Sequence, residues 1–348
     1  MISNKKYGGD FCYIDLKTNS KNEFEKYFSD FNFILYDSGR SALRALLKKL
    51  NRKTILLPDF ICQSIVDTIL SLNIEIAFYH INIDLSIDIK DLKHQLVNNS
   101  IIFFINYFGH LQDELILNKI TELSKVTKSL IIEDTTHSIF TKIQTIGDYC
   151  IASLRKWFPL CDDGICYTQN ELNLNRPLEI NKSFVNYRHE AMTKKSNSYE
   201  FNFPDEAYLN LYKTAENCLN LSINEFSISN KSKDILYSTE ITTIVSARKN
   251  NFKLLDMKIN NKNLIKIIKY NPTETLLAYP VYVNDRDDFV KYLIEHKIYC
   301  AIHWPNLIGT NITHQDTLYR NNHIISIMLD QRYLIADMKY LINIVNNY

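Results

Sequence analysis

Residues 129–164 read SLIIEDTTHSIFTKIQTIGDYCIASLRKWFPLCDDG and contain two strand patterns, each followed by polar residues. The first pattern, SLIIED, is a continuous apolar run that ends in Asp134. The second, DYCIA, is followed at once by Ser153 and then by Lys156. Continuous apolar runs are typical of strands that are buried on both faces. Ligands bind beyond the carboxyl ends of such strands, so this stretch predicts functional side chains at two strand ends.

Strand patterns of the same kind recur in the N-terminal half, and helical patterns separate them. They are FNFILY (31–36), KTILLPDF (53–60), IEIAFYHIN (74–82) and SIIFFINYFG (100–109). Buried strands that alternate with helices predict a parallel α/β sheet. Near residue 245 a basic helix precedes a strand–helix–strand pattern. We therefore predict a large α/β domain over residues 1–240 and a smaller α+β domain over residues 241–348.

The composition excludes several classes of partner. The 348 residues include 40 Lys and Arg against 39 Asp and Glu, which leaves a formal charge of +1 and no basic footprint for nucleic acid or an anionic membrane. No stretch approaches the ~20 apolar residues of a membrane span. Seven cysteines are scattered without the spacing of a disulfide framework or a zinc site. We expect reduced thiols, no bound metal, and a soluble cytoplasmic protein.

Glycine is scarce, with 7 in 348 residues, so each remaining glycine indicates a place where backbone geometry matters. Gly39 follows the first strand in Ser38-Gly39-Arg40-Ser41, directly before a helical pattern. Such a turn can hold a phosphate with the free N–H groups of the helix start and the serine hydroxyls. A simple capped helix start accounts for the same residues equally well.

Three further strand ends carry candidate side chains. The fourth strand ends in NYFGH, where Phe108 could cover a flat ring or simply be buried. Asp134 ends the fifth strand and needs a cationic or N–H partner; together with His137 it could contact a ligand, or it could cap the next helix. Lys156, beyond the next strand, is either a desolvated nucleophile or a surface charge.

Taken together, these positions favour one cofactor. A phosphate turn, an aromatic ring cover, an acid for a pyridinium nitrogen and an amine for an aldehyde are what pyridoxal phosphate requires of a protein. They occur in that order along one predicted sheet. The alternative, a dinucleotide, needs G-x-G-x-x-G after the first strand, and DSGRSAL lacks it.

The sequence resembles the DegT/DnrJ/EryC1/StrS aminotransferases, the sugar-aminotransferase branch of the fold type I pyridoxal-phosphate enzymes. The resemblance extends over nearly the whole chain and is carried by these motifs in family order: YGGDFCYID, SGRSAL, LLPDFICQSI, YFGH, IIEDTTHS, SLRKWFPLCDDG, YPVYVNDRDDFVKYLIEHKI, IHWP and LDQRY. It implies an α/β large domain with a mostly parallel seven-stranded sheet and a small α+β C-terminal domain. It also implies a homodimer, with the amino group taken from glutamate and passed to a nucleotide-linked keto sugar.

The resemblance also implies a role for each matching residue. Lys156 would form the Schiff base with the cofactor and move the proton, and Asp134 would keep the pyridine nitrogen protonated. His137 would hydrogen-bond the ring hydroxyl or lie beside it. The residues implied to hold the phosphate are Gly39, Arg40, Ser41 and Ser153, and the ring would be covered by Phe60 or Phe108. Two departures from the family pattern are Arg40 after the turn glycine and a single Gly164 in place of a glycine pair.

The remaining candidates concern the substrate. Arg188 and His189 in NYRHE, with His303 and Trp304 in AIHWPN, could line the substrate mouth, since Arg suits a pyrophosphate and Trp suits a base or sugar. Surface pairs and a half-buried core aromatic are the alternative interpretation. Two alternative functions also stay open: another reaction with the same cofactor, such as dehydration or transfer to a small phosphorylated ketone, and a non-catalytic relative.

Overall fold

The computed structural model describes residues 5–14, 22–141, 145–201, 205–304 and 314–348. Its strands are β1 (Tyr7–Gly8), β2 (Asn32–Leu35), β3 (Thr54–Pro58), β4 (Glu75–Tyr79), β5 (Ile101–Ile105), β6 (Leu130–Asp134), β7 (Tyr149–Ala152), β8 (Ile165–Thr168), β9 (Leu264–Lys266), β10 (Tyr279–Val283), β11 (Ile298–Tyr299) and β12 (Ile324–Ile327). Its helices are α1 (Glu23–Tyr27), α2 (Gly39–Leu50), α3 (Gln63–Leu70), α4 (Ile89–Gln95), α5 (Glu114–Thr127), α6 (Lys182–Phe201), α7 (Asp205–Leu221), α8 (Asn230–Ser238), α9 (Ile241–Lys258), α10 (Arg286–Glu295), α11 (Gln315–His323) and α12 (Ile335–Asn347).

The central sheet has seven strands in the order β2-β8-β7-β6-β5-β3-β4. The pairs β3–β4, β3–β5 and β5–β6 are parallel, whereas β8 runs antiparallel to both β2 and β7. Continuous apolar runs explain the parallel part, since all five side chains of β5 are buried. The predicted fold class, α/β with a mostly parallel seven-stranded sheet, is confirmed. The strand β8 was not predicted from the sequence.

Helix α2 illustrates how the sequence sets the packing of a helix. Its apolar side chains recur at helical spacing and are buried along one stripe, which comprises Ala42, Leu43, Leu46 and Leu47. Ser38 caps its first turn, and its C-cap Asn51 is in the left-handed conformation that asparagine tolerates. Both ends of α2 are therefore fixed by local sequence.

Two smaller sheets complete the architecture. Strands β12, β10 and β9 form an antiparallel sheet, and β1 pairs in parallel with β11. None of the helices in the described part of the chain combines the length and the hydropathy that a membrane span requires.

The chain divides into two compact units. The first unit comprises Met1–Lys6, Asp10–Asn51 and Tyr149–Ile241, and the second comprises Tyr7–Gly9, Arg52–Asp148 and Thr242–Tyr348. Both units are discontinuous in sequence, because the chain passes between them several times. One of these crossings falls between Ile241 and Thr242, beside the predicted limit at residue 240. The assignment of residues 1–240 and 241–348 to separate domains stays a prediction.

Candidate active site

The turn between β2 and α2 has the geometry of an anion seat. Ser38 is the N-cap of α2, and its Oγ accepts a hydrogen bond of 3.2 Å from the Ser41 N–H. A Cβ built on Gly39 would lie 3.6 Å from the Cβ of Ser153, so the structure brings these two predicted phosphate-holding residues together. Helix α2 has 12 residues, long enough for its first-turn N–H groups to attract an anion.

A buried carboxylate accepts hydrogen bonds from the hydroxyls of this turn. Asp37 Oδ1 accepts hydrogen bonds from Ser38 Oγ at 3.0 Å and from Ser41 Oγ at 2.5 Å. Burial raises the pKa of Asp37, although these hydroxyl donors oppose the shift. The sequence analysis did not assign Asp37 to the site, so its place beside the Ser38 and Ser41 hydroxyls was missed. The signal available was an acid directly after a buried strand, as at Asp134.

The backbone of Gly164 packs closely against this turn. The N–H of Tyr36 donates to Gly164 O at 2.7 Å, which extends the pairing of β2 with β8. A Cβ at position 164 would lie 2.1 Å from Ser38 O and 2.8 Å from Gly39 N. Gly164, the single glycine where the family pattern has two, is therefore required here because two backbones pack closely.

The side chain of Arg40 is directed away from the turn hydroxyls. Its guanidinium donates to Glu216 Oε2 at 2.9 Å and to Asn220 Oδ1 at 2.7 Å, both on α7. Arg155 donates to the other Glu216 oxygen at 2.7 Å. Burial alone would raise the pKa of Glu216, but Arg155 and Arg40 lower it to about 2. Arg40 can thus offer its backbone N–H to a phosphate, while its guanidinium shares the Glu216 carboxylate with Arg155.

Lys156 lies in a single 3₁₀ turn, Leu154–Lys156, directly after β7. Its side chain is exposed in this single chain, so the burial expected for a desolvated amine is not found here. The flanking Leu154 and Trp157 are fully buried and fix the turn on both sides. Lys156 is therefore an amine held at a strand end by buried neighbours and open to solvent.

Asp163 joins this turn to Ser153. Its carboxylate accepts from the Ser153 hydroxyl at 3.3 Å on each oxygen and from the Arg155 N–H. Burial raises the pKa of Asp163 to about 6, although the Arg155 charge opposes the shift. The sequence analysis did not single out this residue. It lies in the segment CDDG, where two adjacent acids before a glycine were the available signal.

In the second unit, Asp134 ends β6 as predicted and is buried. It pairs in register with Ile105 at the end of β5, and its Oδ1 accepts from the Thr136 N–H at 2.9 Å. A carboxylate at this depth keeps its charge only where cationic or N–H donors face it. Its position supports an electrostatic role toward a ligand at the carboxyl ends of the strands.

His137 and Phe108 form a stacked pair. Their ring centroids lie 5.5 Å apart with an interplanar angle of 30°, and the Phe108 N–H donates to His137 Nδ1 at 3.2 Å. Because Nδ1 accepts this bond, the ring proton of neutral His137 lies on Nε2, which can donate to a ligand. Phe108 has a φ of 58° and Gly109 a φ of 97°. This tight turn explains why a glycine, Gly109, follows β5.

The other predicted aromatic residues adjoin this pair. The Trp304 ring is stacked on the His137 ring, with the centroids 5.7 Å apart. The His303 ring meets the His137 ring edge-on, with a centroid distance of 5.5 Å and an interplanar angle of 74°. Phe60 touches Trp304 edge-on at 5.0 Å and carries the Arg320 guanidinium 4.6 Å above its ring. The structure therefore brings together Phe60, Phe108, His137, His303 and Trp304 in one aromatic cluster of the second unit.

Arg188 and His189 lie on α6 in the first unit. The Arg188 guanidinium stacks 4.8 Å over the Tyr212 ring, and the side chain is buried. His189 meets the Tyr13 ring edge-on at 4.5 Å, and burial lowers its pKa. His189 is thus a ring packed on an aromatic side chain, whereas Arg188 is a buried charge.

Comparison with known proteins identifies the fold. No protein-family model matches the chain, and no curated protein matches it. Spr1654 from Streptococcus pneumoniae, in its PLP form, has a TM-score of 0.70 at 12% identity, covering 98% of this chain and 92% of that chain. The sugar aminotransferase CalS13 from Micromonospora echinospora has a TM-score of 0.69 at 12% identity, covering 93% and 89%. A DegT DnrJ EryC1 StrS aminotransferase from Brucella abortus has a TM-score of 0.67 at 13% identity, covering 93% and 88%. The chain has their fold.

Proposed function

We propose that this protein is a pyridoxal-phosphate-dependent sugar aminotransferase that resembles the DegT/DnrJ/EryC1/StrS enzymes. The observation that carries the proposal is Asp134, a buried carboxylate at the end of β6, followed by His137 with its ring stacked on Phe108. This arrangement occurs on a fold shared with sugar aminotransferases. A buried acid and a flat aromatic pair beyond parallel strands are suited to a protonated heteroaromatic ring.

The residues present fit this cofactor. The start of α2 offers backbone N–H groups, and Ser153 lies beside Gly39, so its hydroxyl is available near the turn for a phosphate. The Asp37 carboxylate opposes a phosphate dianion when it is ionised, and burial raises its pKa, whereas the hydrogen bonds from Ser41 and Ser38 lower it. Gly39, Ser41 and Ser153 would hold the phosphate, together with the backbone N–H of Arg40. Phe60 or Phe108 would cover the ring.

Pyridoxal phosphate, when bound, supplies an aldehyde that carries amino groups and a ring that withdraws electrons. The chain's own residues would do the rest. Asp134 would hold a proton on the ring nitrogen, and His137 would donate from Nε2 toward the ring hydroxyl. Lys156 Nζ would attach the cofactor and move the proton at the reacting carbon, since it stands at a strand end between buried neighbours.

The finer parts of the proposal concern substrates and assembly. We infer that glutamate donates the amino group and that a nucleotide-linked keto sugar, used for surface polysaccharide, accepts it. Arg188, His189, His303 and Trp304 are the candidates for binding the substrates. A homodimer would cover the exposed Lys156, whose side chain faces solvent in the single chain. None of the seven cysteines forms a disulfide among the described residues, and reduced thiols are typical of a compartment such as the cytoplasm.

The test is the absorption spectrum of the purified protein with pyridoxal phosphate, before and after glutamate. We expect a protein-bound cofactor band that glutamate bleaches, with 2-oxoglutarate as the product. Lys156→Ala should lose this conversion, because no other amine would attach the cofactor and move the proton. Lys194→Ala, which removes an exposed lysine paired with Glu190 at 2.8 Å, is the matched control and should behave like the native protein.

Each alternative function gives a different result in this experiment. If the cofactor binds but glutamate leaves the band unchanged and no 2-oxoglutarate forms, the protein uses the cofactor for another reaction, such as dehydration. If no cofactor binds to the native protein, the residues at the strand ends do not form a cofactor site, and the protein is a non-catalytic relative. Equal conversion by Lys156→Ala would exclude Lys156 as the catalytic amine.

A further inference from the structure

Arg188 is a buried cation with unused hydrogen-bonding capacity. It lies on α6, is 4% exposed, and stacks on Tyr212 at 4.8 Å. Its Nε finds no hydrogen-bond partner among the described residues. A buried guanidinium with an unsatisfied N–H carries a desolvation cost that an anion could relieve. Arginine on an aromatic face is also a preorganised donor for carboxylate and phosphate groups.

The nearest carboxylate to this cation makes only a loose contact. Asp10 Oδ2 lies 3.6 Å from Arg188 Nη1, beyond hydrogen-bond distance, and the Asp10 side chain is 48% exposed. The Nζ of Lys195 donates to the backbone oxygen of Asp10, which brings a second cation to this segment. Asp10 is therefore a half-exposed anion beside a buried, incompletely paired cation.

Several cations converge on this carboxylate. Partial burial would raise the pKa of Asp10, but the charges of Arg188, Arg155, Lys156 and Lys195 lower it. Arg155 and Arg188 differ in their other ion pairs. Arg155 also pairs with Glu216 at 2.7 Å, whereas Arg188 has only the long Asp10 contact as its ion pair in the described part of the chain. The positive charge around Asp10 includes Lys156, the proposed catalytic amine.

We propose that Arg188, together with Lys195, forms a binding site for the anionic group of a substrate, and that the Asp10 carboxylate occupies this site as a displaceable counter-ion. The inference rests on the proposed function, since the ligand would be a substrate of that reaction. The ligand class is a carboxylate or a pyrophosphate, which the amino donor or the nucleotide of the acceptor would supply. The alternative is a fixed structural ion pair between Asp10 and Arg188, in which the carboxylate stabilises the fold and excludes no ligand.

The experiment measures ligand affinity without relying on the reaction. Glutamate and UDP are titrated separately into the purified full-length protein by calorimetry, comparing the native chain with Asp10→Asn. Removing the competing charge should tighten binding of the true ligand about fivefold, the scale expected for a partly exposed ion pair. Asp205→Asn is the matched control, because it removes a carboxylate of the same unit that pairs with Lys6 at 2.5 Å. It should leave both affinities unchanged.

The two titrations separate the possible ligands. A gain for glutamate alone assigns the site to the carboxylate of the amino donor, and a gain for UDP assigns it to the pyrophosphate. Arg188→Lys should weaken binding of the same ligand about tenfold, because an ammonium cannot present a planar pair of donors. Unchanged affinity of Asp10→Asn for both ligands would overturn the inference. A gain for UDP in a protein that fails the glutamate spectral test would sink the aminotransferase proposal while leaving this site in place.

Discussion

Replacing Gly164 with alanine should displace the turn that begins α2. The added Cβ would lie 2.1 Å from Ser38 O and 2.8 Å from Gly39 N, and both are backbone atoms that no side-chain rotation can move aside. Ordinary contact requires the two backbones to separate by about 1 Å. Overpacking lowers the free energy of unfolding by about 1–3 kcal/mol, and we expect the upper value here because backbone atoms must move. The hydrogen bond from the Tyr36 N–H to Gly164 O, now 2.7 Å, would lengthen, and its weakening would destabilise the fold by about 1 kcal/mol more.

The control for this substitution is Gly39→Ala, at the other side of the same turn. Its Cβ would meet Ser153 at 3.6 Å, an ordinary contact, so the free energy of unfolding should change by less than about 1 kcal/mol. Urea denaturation measures both variants. Affinity for pyridoxal phosphate should fall in both, because the added methyl group of Gly39→Ala fills the space beside Ser153. Equal stability of Gly164→Ala and Gly39→Ala would refute the reasoning from backbone contact.

Two more predictions concern a buried acid and a turn glycine. Burial raises the pKa of Asp163 to about 6, above the ~4 of an unfolded chain, so the stability it contributes is present below pH 4 and is lost as the pH rises through 6. Between pH 4 and 7, Asp163→Asn should therefore gain up to about 3 kcal/mol relative to the native protein, as measured by urea denaturation at each pH; a constant difference would contradict the raised pKa. Gly109→Ala should cost at least about 2 kcal/mol, because φ is 97° there and a Cβ would lie 2.6 Å from Thr275 O; a native-like thermal unfolding midpoint would count against this.

The parallel part of the sheet could be predicted because burial on both faces leaves a strong signal. Strand β5 is apolar in all five positions, and β6 ends at Asp134, as the sequence indicated. Strand β8 gives a weaker signal. Its four residues, ICYT, follow a glycine closely and pair antiparallel with β2 and β7, so neither length nor periodicity distinguishes them from a loop.

The proximity of side chains at neighbouring strand ends was also predictable, whereas the pairing of side chains with distant helices was not. Gly39 meets Ser153, and Phe108 stacks on His137, because each of these residues stands at the end of a strand of one sheet. The direction of the Arg40 side chain depends on Glu216, which is 176 positions away in the chain. No local pattern encodes such a partner, because the pairing exists only once α7 is in place.

The electrostatics of the turn depends on these remote partners as much as on the helix start. A phosphate dianion placed there would meet Asp37 at the hydroxyls of Ser38 and Ser41. If Asp37 were ionised, repulsion would offset much of what the N–H groups of α2 contribute. Burial raises its pKa, however, and a protonated carboxyl group can donate a hydrogen bond to a phosphate oxygen. Because Glu216 is shared between Arg40 and Arg155, the charge of the turn depends both on this shared ion pair and on whether Asp37 carries a proton.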